Sequence, residues 1–389
     1  MEAARLKTIR TARGLSLEEL SAAMGGLVTK QALSKYERGA SAPTPRVLVA
    51  LAQALGVKAI DLAVPPTVGV RVVAFRKRSS FPRGTQHALE SQVILQLERR
   101  TELQEIVGQR CAGDVPLHAY AASNLDDAEQ AAERLRDQWE LGRDPLEQMV
   151  DVLEEHCFHV VGVDASERFD GMSAVAEVGG QPVAVAVVTR NGVCRERQRL
   201  SLGHELGHLV LAPSDGVDEE KAAYRFGAAF LAPRETLVRD VGRRRTDITS
   251  EELFILKQRY GMRLAALMYR LRDLGVISDR YAQDWWRYIS SMGWRKEEPR
   301  ETPPEQPRWL TQSTLRAFSE GLISQADAEA LLERPLEPSD APSRRRALAA
   351  LPRDKRAAVL AKQAAAAADL YTPQTGDDAD DADDEPIEN

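Results

Sequence analysis

His204-Glu205-Leu206-Gly207-His208 is the part of this 389-residue sequence best equipped for chemistry. Residues four apart lie on one face of an α-helix, so both imidazoles can hold a single divalent cation. Glu205, beside the first imidazole, is placed to reach a water on that cation rather than the cation itself. Two neutral nitrogens leave a metal electron-poor, bound water is acidified, and a neighbouring carboxylate takes the proton during attack, which is hydrolytic chemistry. The H-E-x-x-H spacing therefore carries a mechanism with it. Leu200, Leu206, Leu209 and Val210 give the helix an apolar surface for burial, where His and Glu without partners would be costly. Satisfied core histidines are the competing reading.

A catalytic site of this kind needs a third protein ligand and one open position. No histidine follows His208, which excludes the pattern with a downstream third histidine. The ligand must be a carboxylate or one of His87, His118, His156 and His159. The stretch Glu219 to Pro233 offers the best candidates: Ala223, Phe226, Phe230 and Leu231 form the inward face of a helix, with Glu219 and Glu220 at its edges. Periodicity does not choose between the two.

A second constellation lies near the N-terminus. Two short helices, around Leu17 and around Gln31, are separated by Gly25-Gly26, and Ser16 with Glu19 forms a capping-box pattern. The second helix keeps Ala32, Leu33 and Tyr36 for packing and presents Thr29, Lys30, Gln31, Ser34 and Lys35. Such side chains suit a major-groove helix, because Gln pairs with adenine and Lys with guanine or phosphate. The net charge of −7 is unevenly spread: residues 377–389 hold eight acids and no Lys or Arg, whereas the first 62 residues hold nine Lys/Arg against five Asp/Glu. The basic end can face DNA.

Positioning these groups calls for a mainly α chain with a small β-sheet. Residues 4–63 read as five short helices closed by Val64-Pro65-Pro66. Helical stretches are expected over 85–109 and 125–157, then strands over 160–163, 174–178 and 183–188, with Asn191-Gly192 as a tight turn. Helices resume over 198–212, 218–231 and 250–288. Pro299, Pro303, Pro304 and Pro307 among charges mark a linker; a helical piece over 311–334, an Ala/Arg-rich helix near 352–370 and a disordered acidic tail follow. Trp285, Trp286 and Trp294 are expected to pack a helical cap rather than stack on bases. The apolar fraction of 43% and charged fraction of 29% are those of an ordinary folded protein. There is no apolar run of membrane-spanning length and no signal-peptide core, so a cytoplasmic protein without membrane contact is expected. Cys111, Cys157 and Cys194 are too few and too scattered for a disulfide framework.

E-R-x-R-x-x-x-x-H-E-L-G-H-L-x-L followed by E-x-x-A-x-x-F-x-x-x-F-L-x-P resembles the ImmA/IrrE-type zinc metallopeptidases, and residues 5–63, including S-K-Y-E-R-G, resemble the phage-repressor (Cro/C1-like, XRE-type) helix-turn-helix. The first resemblance implies Glu220 as the third metal ligand beside His204 and His208, with Glu205 as the catalytic base and Zn2+ as the ion, Mn2+ or another divalent ion being the substitute. The family often has Asn and Ala where this chain has Tyr224 and Gly227. It also implies that relatives cut a partner protein, typically a helix-turn-helix repressor, and so derepress genes.

The expected organisation is a helix-turn-helix domain (1–66), a basic helical connector (67–120), a zincin-like metallopeptidase domain (121–240) and its helical extension (241–295). A linker (296–310), a small helical region (311–370) and the tail (371–389) complete it. The sheet would offer an edge to an extended substrate. The leading expectation is thus a DNA-binding regulator with a zinc endopeptidase domain, working on operator DNA and a repressor substrate, with a homodimer as an option. The alternative is a non-enzymatic regulator or antitoxin whose metal site is sensory or structural; a general peptidase that ignores its N-terminal domain is a third reading.

Overall fold

The computed structural model describes residues 3–77, 81–109 and 115–340. Cys111, Arg344 to Arg346, the helix expected near 352–370 and the acidic tail lie outside the described residues. The chain divides into two compact units, residues 1–317 and 318–389.

The first unit opens with α1 (Ala3–Ala12), α2 (Leu17–Ala23), α3 (Lys30–Glu37), α4 (Pro45–Leu55) and α5 (Ala59–Ala63). Their starts are written locally. Ser16 and Glu19 form the expected capping box on α2, while Thr29 and Thr44 accept backbone N–H groups at the heads of α3 and α4. Leu6, Ile9, Leu20, Leu33, Leu51 and Leu55 close a small core of their own. Arg10 grips Glu37 with both arms of its guanidinium, at 2.6 and 3.1 Å, and so ties α1 to α3.

Residues expected as a helical connector do something different. Gly69–Lys77 is a strand, β1, and only Arg83–Val107 is helical, as α6. Val70, Val72 and Phe75 pack on the main core while Arg71 and Val73 are exposed, an alternation that suits one face of a sheet. Helix α6 serves both sides. Its Leu95 packs on the N-terminal core, Gln92 donates to the Ala12 carbonyl at 2.9 Å, and Leu89, Val93 and Leu97 belong to the main core.

The elements that follow are β2 (Tyr120–Ala122), α7 (Leu125–Gln138), α8 (Met149–Glu155), β3 (Phe158–Val163), β4 (Phe169–Val178), β5 (Gln181–Arg190), α9 (Arg195–Val210), β6 (Leu211–Pro213) and α10 (Glu219–Leu231). Beyond them come α11 (Arg234–Val241), α12 (Ser250–Tyr260), α13 (Leu264–Asp273), α14 (Asp279–Ser291), α15 (Trp309–Glu320) and α16 (Gln325–Leu332). The architecture is mainly α with a small mixed sheet, as expected. The four-stranded sheet runs β1-β4-β5-β3, with β3 parallel to β5 and the other pairs antiparallel; β2 and β6 form a separate parallel pair. The hairpin between β4 and β5 turns at Gly179 and Gly180, whose φ of 59° and 80° is what such a two-residue turn demands. Asn191-Gly192 instead leads β5 into α9.

Three further features depart from the sequence pattern. Residues 296–310, read as a linker, are pinned to the body: Glu298 accepts from Lys257 at 3.0 Å, Arg263 at 3.0 Å and the Leu264 N–H at 3.2 Å. Helix α11 lies in a stretch to which the pattern assigned no element. Cys157 is disulfide-bonded, whereas Cys194 is a free thiol. Trp285, Trp286 and Trp294 pack against the main core, as expected. No helix among the described residues is long and apolar enough to cross a membrane. In the second unit, Ser324 and Asp327 cap α16, and Arg334 pairs with Asp340 at 2.6 Å.

Candidate metal centre

Helix α9 is buried along most of its length and carries His204 and His208 one turn apart, with their Nε2 atoms 3.1 Å from each other. Helix α10 begins beside them. Asp218 caps it by accepting from the Lys221 N–H at 3.1 Å, which fixes the first turn and with it Glu220. One Glu220 oxygen lies 3.3 Å from His204 Nε2 and the other 3.3 Å from His208 Nε2. Among the described residues these three side chains bring their ligand atoms within 4.8 Å of one another.

The choice that periodicity left open is therefore made by geometry: Glu220 joins the imidazoles and Glu219 does not. The upstream histidines are engaged elsewhere. His159 is fully buried and bonded to Gln104 at 3.0 Å, His156 stacks on Trp139, and His118 Nδ1 lies 2.8 Å from the Leu211 carbonyl oxygen. His87 is exposed on α6. Cys194 sits at the N-terminal cap of α9, the end remote from both histidines.

A short carboxylate reaches two imidazoles because α9 and α10 touch backbone to backbone. A Cβ built on Gly227 would lie 2.8 Å from the Gly203 carbonyl carbon and 2.9 Å from the His204 nitrogen. One on Gly207 would lie 3.0 Å from Ala223 Cα. Gly227→Ala is therefore expected to push the helices apart and lower stability by about 1–3 kcal/mol, weakening metal retention in parallel. Calorimetry and competition against a chromogenic chelator would check this, and unchanged values in both would refute the close-packing argument.

Glu205 is buried and faces β4. A Cβ on Gly171 would come within 2.3 Å of Glu205 Oε1, so a side chain there would displace that carboxylate from its present position. Gly171 pairs with Arg76 of β1, which makes β1 the sheet edge nearer to Glu205; β3, the other edge, lies beyond β5. The Tyr224 ring packs 3.8 Å from the His204 ring, centroid to centroid, at 49°. Tyr224 was singled out in the sequence only as a departure from relatives. Its position one turn after Glu220, on the same face of α10, is the signal that places it here.

Two buried charges hold α10 in place. Arg136 donates to the carbonyls of Phe230 at 2.6 Å and Gly142 at 2.8 Å, and burial lowers its pKa to about 10. Glu129 receives Arg270 at 2.9 and 3.0 Å and Arg225 at 3.0 Å. Burial opposes its ionisation, but the guanidiniums of Arg270, Arg234 and Arg225 prevail and hold the carboxyl below its usual range.

At the other end of the unit, Thr29 Oγ1 accepts the Ala32 N–H at 3.3 Å and so serves as the cap of α3. Lys30, Gln31 and Lys35 are exposed and Ser34 is half-buried; Lys30 also meets Glu18 at 3.2 Å on the surface.

A helix-turn-helix family model matches residues 6–62, and the IrrE N-terminal-like domain, a peptidase family, matches residues 188–272. The chain fuses a helix-turn-helix to an IrrE-like peptidase domain. No curated protein and no solved structure matches it. The IrrE-like match runs from the end of β5 to α13 and contains His204, Glu205, His208 and Glu220. β1 and α6 lie outside the match yet contribute residues to the core on which the IrrE-like helices rest.

Proposed function

We propose that the IrrE-like domain is a zinc-dependent endopeptidase that hydrolyses a peptide bond in a partner protein, a helix-turn-helix repressor, and so derepresses the genes that partner controls. The observation that carries this reading is the convergence of His204 Nε2, His208 Nε2 and both Glu220 oxygens, with separations of 3.1 to 3.3 Å. Two imidazoles and a carboxylate are a donor set that suits a divalent ion of the zinc type. Bound there, such an ion supplies Lewis acidity, polarising the scissile carbonyl and bringing the pKa of water down towards about 7.

The protein's own groups do the rest. Glu205 takes the proton of the attacking water and returns it to the leaving amide nitrogen, so its carboxylate ends the cycle ionised. The wall of Gly171 and the burial of Glu205 keep that carboxylate pointed along one direction. An extended substrate adds to the open edge of β1, where main-chain hydrogen bonds give register. The experiment is cleavage of a co-expressed helix-turn-helix repressor by wild type and by Glu205→Gln, with metal content measured on both. No cutting by either would leave a non-enzymatic regulator, and equal cutting by the two would remove Glu205 from the catalytic step.

The helix-turn-helix would bring the peptidase to DNA, with α3 in the major groove. Tethering raises the effective concentration of the peptidase near a DNA-bound partner. Lys35→Ala is expected to weaken binding to DNA selected from a random pool and to reduce the slope of log affinity against log salt by about one. Gln31→Ala should instead relax the base preference at one position. An unchanged salt slope would remove Lys35 from the interface.

A further inference from the structure

Beside the metal centre lies a cleft of about 740 Å³ between α9, α10, α13 and α14. That size is typical of small-molecule sites, and the lining follows the same pattern of an apolar floor with a few polar groups. Leu200, Ala228, Ala265, Ala266 and Ile289 form apolar wall, and Tyr269 and Trp286 stand side by side with ring centroids 4.2 Å apart.

The polar groups of the cleft are mainly cationic. Arg225, Arg263, Arg270, Arg272, Arg295 and Lys221 line it, against the acids Asp273 and Glu298. Internal pairing answers most of them, since Asp273 bonds Arg272 at 2.7 Å and Asp218 bonds Lys221 at 3.0 Å, and it leaves Arg295 as the surplus cation among the described residues. One carboxylate, Glu129, answers Arg270, Arg225 and Arg234 together, and Glu298 is shared by Arg263 and Lys257. The Arg272 guanidinium lies 5.0 Å from the Tyr269 ring and 5.4 Å from that of Trp286. Arg295 is exposed at the rim and has no ion-pair or hydrogen-bond partner among the described residues. The buried indole N–H of Trp286 is a donor without an acceptor. An unfilled donor, surplus guanidinium charge and an aromatic pair in one concave site call for an acceptor that is anionic and attached to an apolar body.

We propose that this cleft binds a small amphipathic organic anion, an aromatic or aliphatic body bearing a carboxylate or sulfonate, with the anion on the Arg295 and Trp286 side and the body against the apolar wall. Tyr224 belongs to both places: it lines the cleft and its ring rests 3.8 Å from that of His204. A ligand in the cleft therefore touches the residue that touches a candidate metal ligand, which makes the site suited to an effector. The proposal does not depend on peptidase activity, since it concerns a binding event that can be measured in protein carrying Glu205→Gln.

The test is fluorescence titration of the full-length protein with anilinonaphthalene sulfonate, alongside its uncharged parent N-phenylnaphthylamine. Saturable binding of the sulfonate at one site is expected, with weaker binding of the parent. Arg295→Glu, at an exposed position that leaves packing alone, should weaken the sulfonate about fivefold and leave the parent unaffected. Trp286→Phe keeps the aromatic wall and removes the N–H, and should cost about tenfold. Both variants should show the wild-type melting transition. Equal affinity for the two probes, no saturable binding, or indifference to both substitutions would overturn the proposal. So would displacement of the probe by an acidic peptide but not by naphthoate, which would assign the cleft to a polypeptide.

Discussion

Glu205→Gln is expected to slow peptide-bond hydrolysis by about a hundred- to ten-thousand-fold while leaving metal content and melting temperature at wild-type values. The side chain is buried against Gly171, where a Cβ would displace its carboxylate; glutamine has the same outline and fits the same gap. What glutamine lacks is a basic oxygen able to accept a proton from water and give it up to the departing amine. Glu220→Gln provides the contrast. That residue meets both imidazoles at 3.3 Å, so its replacement should lower metal content as well as activity. Metal analysis by plasma emission and cleavage of a co-expressed helix-turn-helix repressor separate the two effects. A Glu205→Gln protein cutting at the wild-type rate would sink the catalytic assignment, and one that also lost its metal would make Glu205 structural.

The reason this prediction can be made so narrowly is that the chemistry of His204, Glu205 and His208 lies within one helix, and helical periodicity puts them on the page from the sequence alone. The Ser16 and Glu19 capping box and the Val/Ala-rich runs of β4 and β5 are similarly local, and both are found. What the pattern did not reveal depends on partners far away in the chain. β1 contains Arg71, Arg76 and Lys77, so it resembles a solvated connector; its strand character comes from pairing with residues about a hundred positions later, as in Gly69 opposite Glu177. The contact of Tyr224 with His204 depends on how closely α9 and α10 approach, which is set by Gly203, Gly207 and Gly227 across two helices. Small residues are silent in a periodicity argument because they add nothing to an apolar face. The linker reading of residues 296–310 failed for a related reason: prolines and charges look alike whether water or guanidinium solvates them.

That misread segment carries the second large effect. Glu305→Ala is expected to cost about 3–5 kcal/mol of unfolding free energy, measured by urea denaturation. Its carboxylate bonds Arg199, Arg195 at 3.1 Å and the Val150 N–H at 2.8 Å, while its own main chain exchanges hydrogen bonds with Gln198 at 2.8 and 3.0 Å. The Arg199 side chain is only 1% exposed. Burial lowers the pKa of Arg199, and Glu305 is the charge that opposes this. Removing the carboxylate leaves the Arg199 guanidinium with the Leu146 and Glu147 carbonyls but no counter-charge, which is the costly way to break a buried pair, since Coulomb gain disappears and desolvation remains. Arg199 and Gln198 belong to α9, as do His204 and His208, so a loosened segment should also let the metal helix shift and weaken cation retention. Glu305→Gln keeps the acceptor oxygen and the shape, and should cost less than the alanine variant. If instead alanine costs under about 1 kcal/mol, the pair behaves as an exposed one, and the tie between this segment and the metal helix would have to be given up.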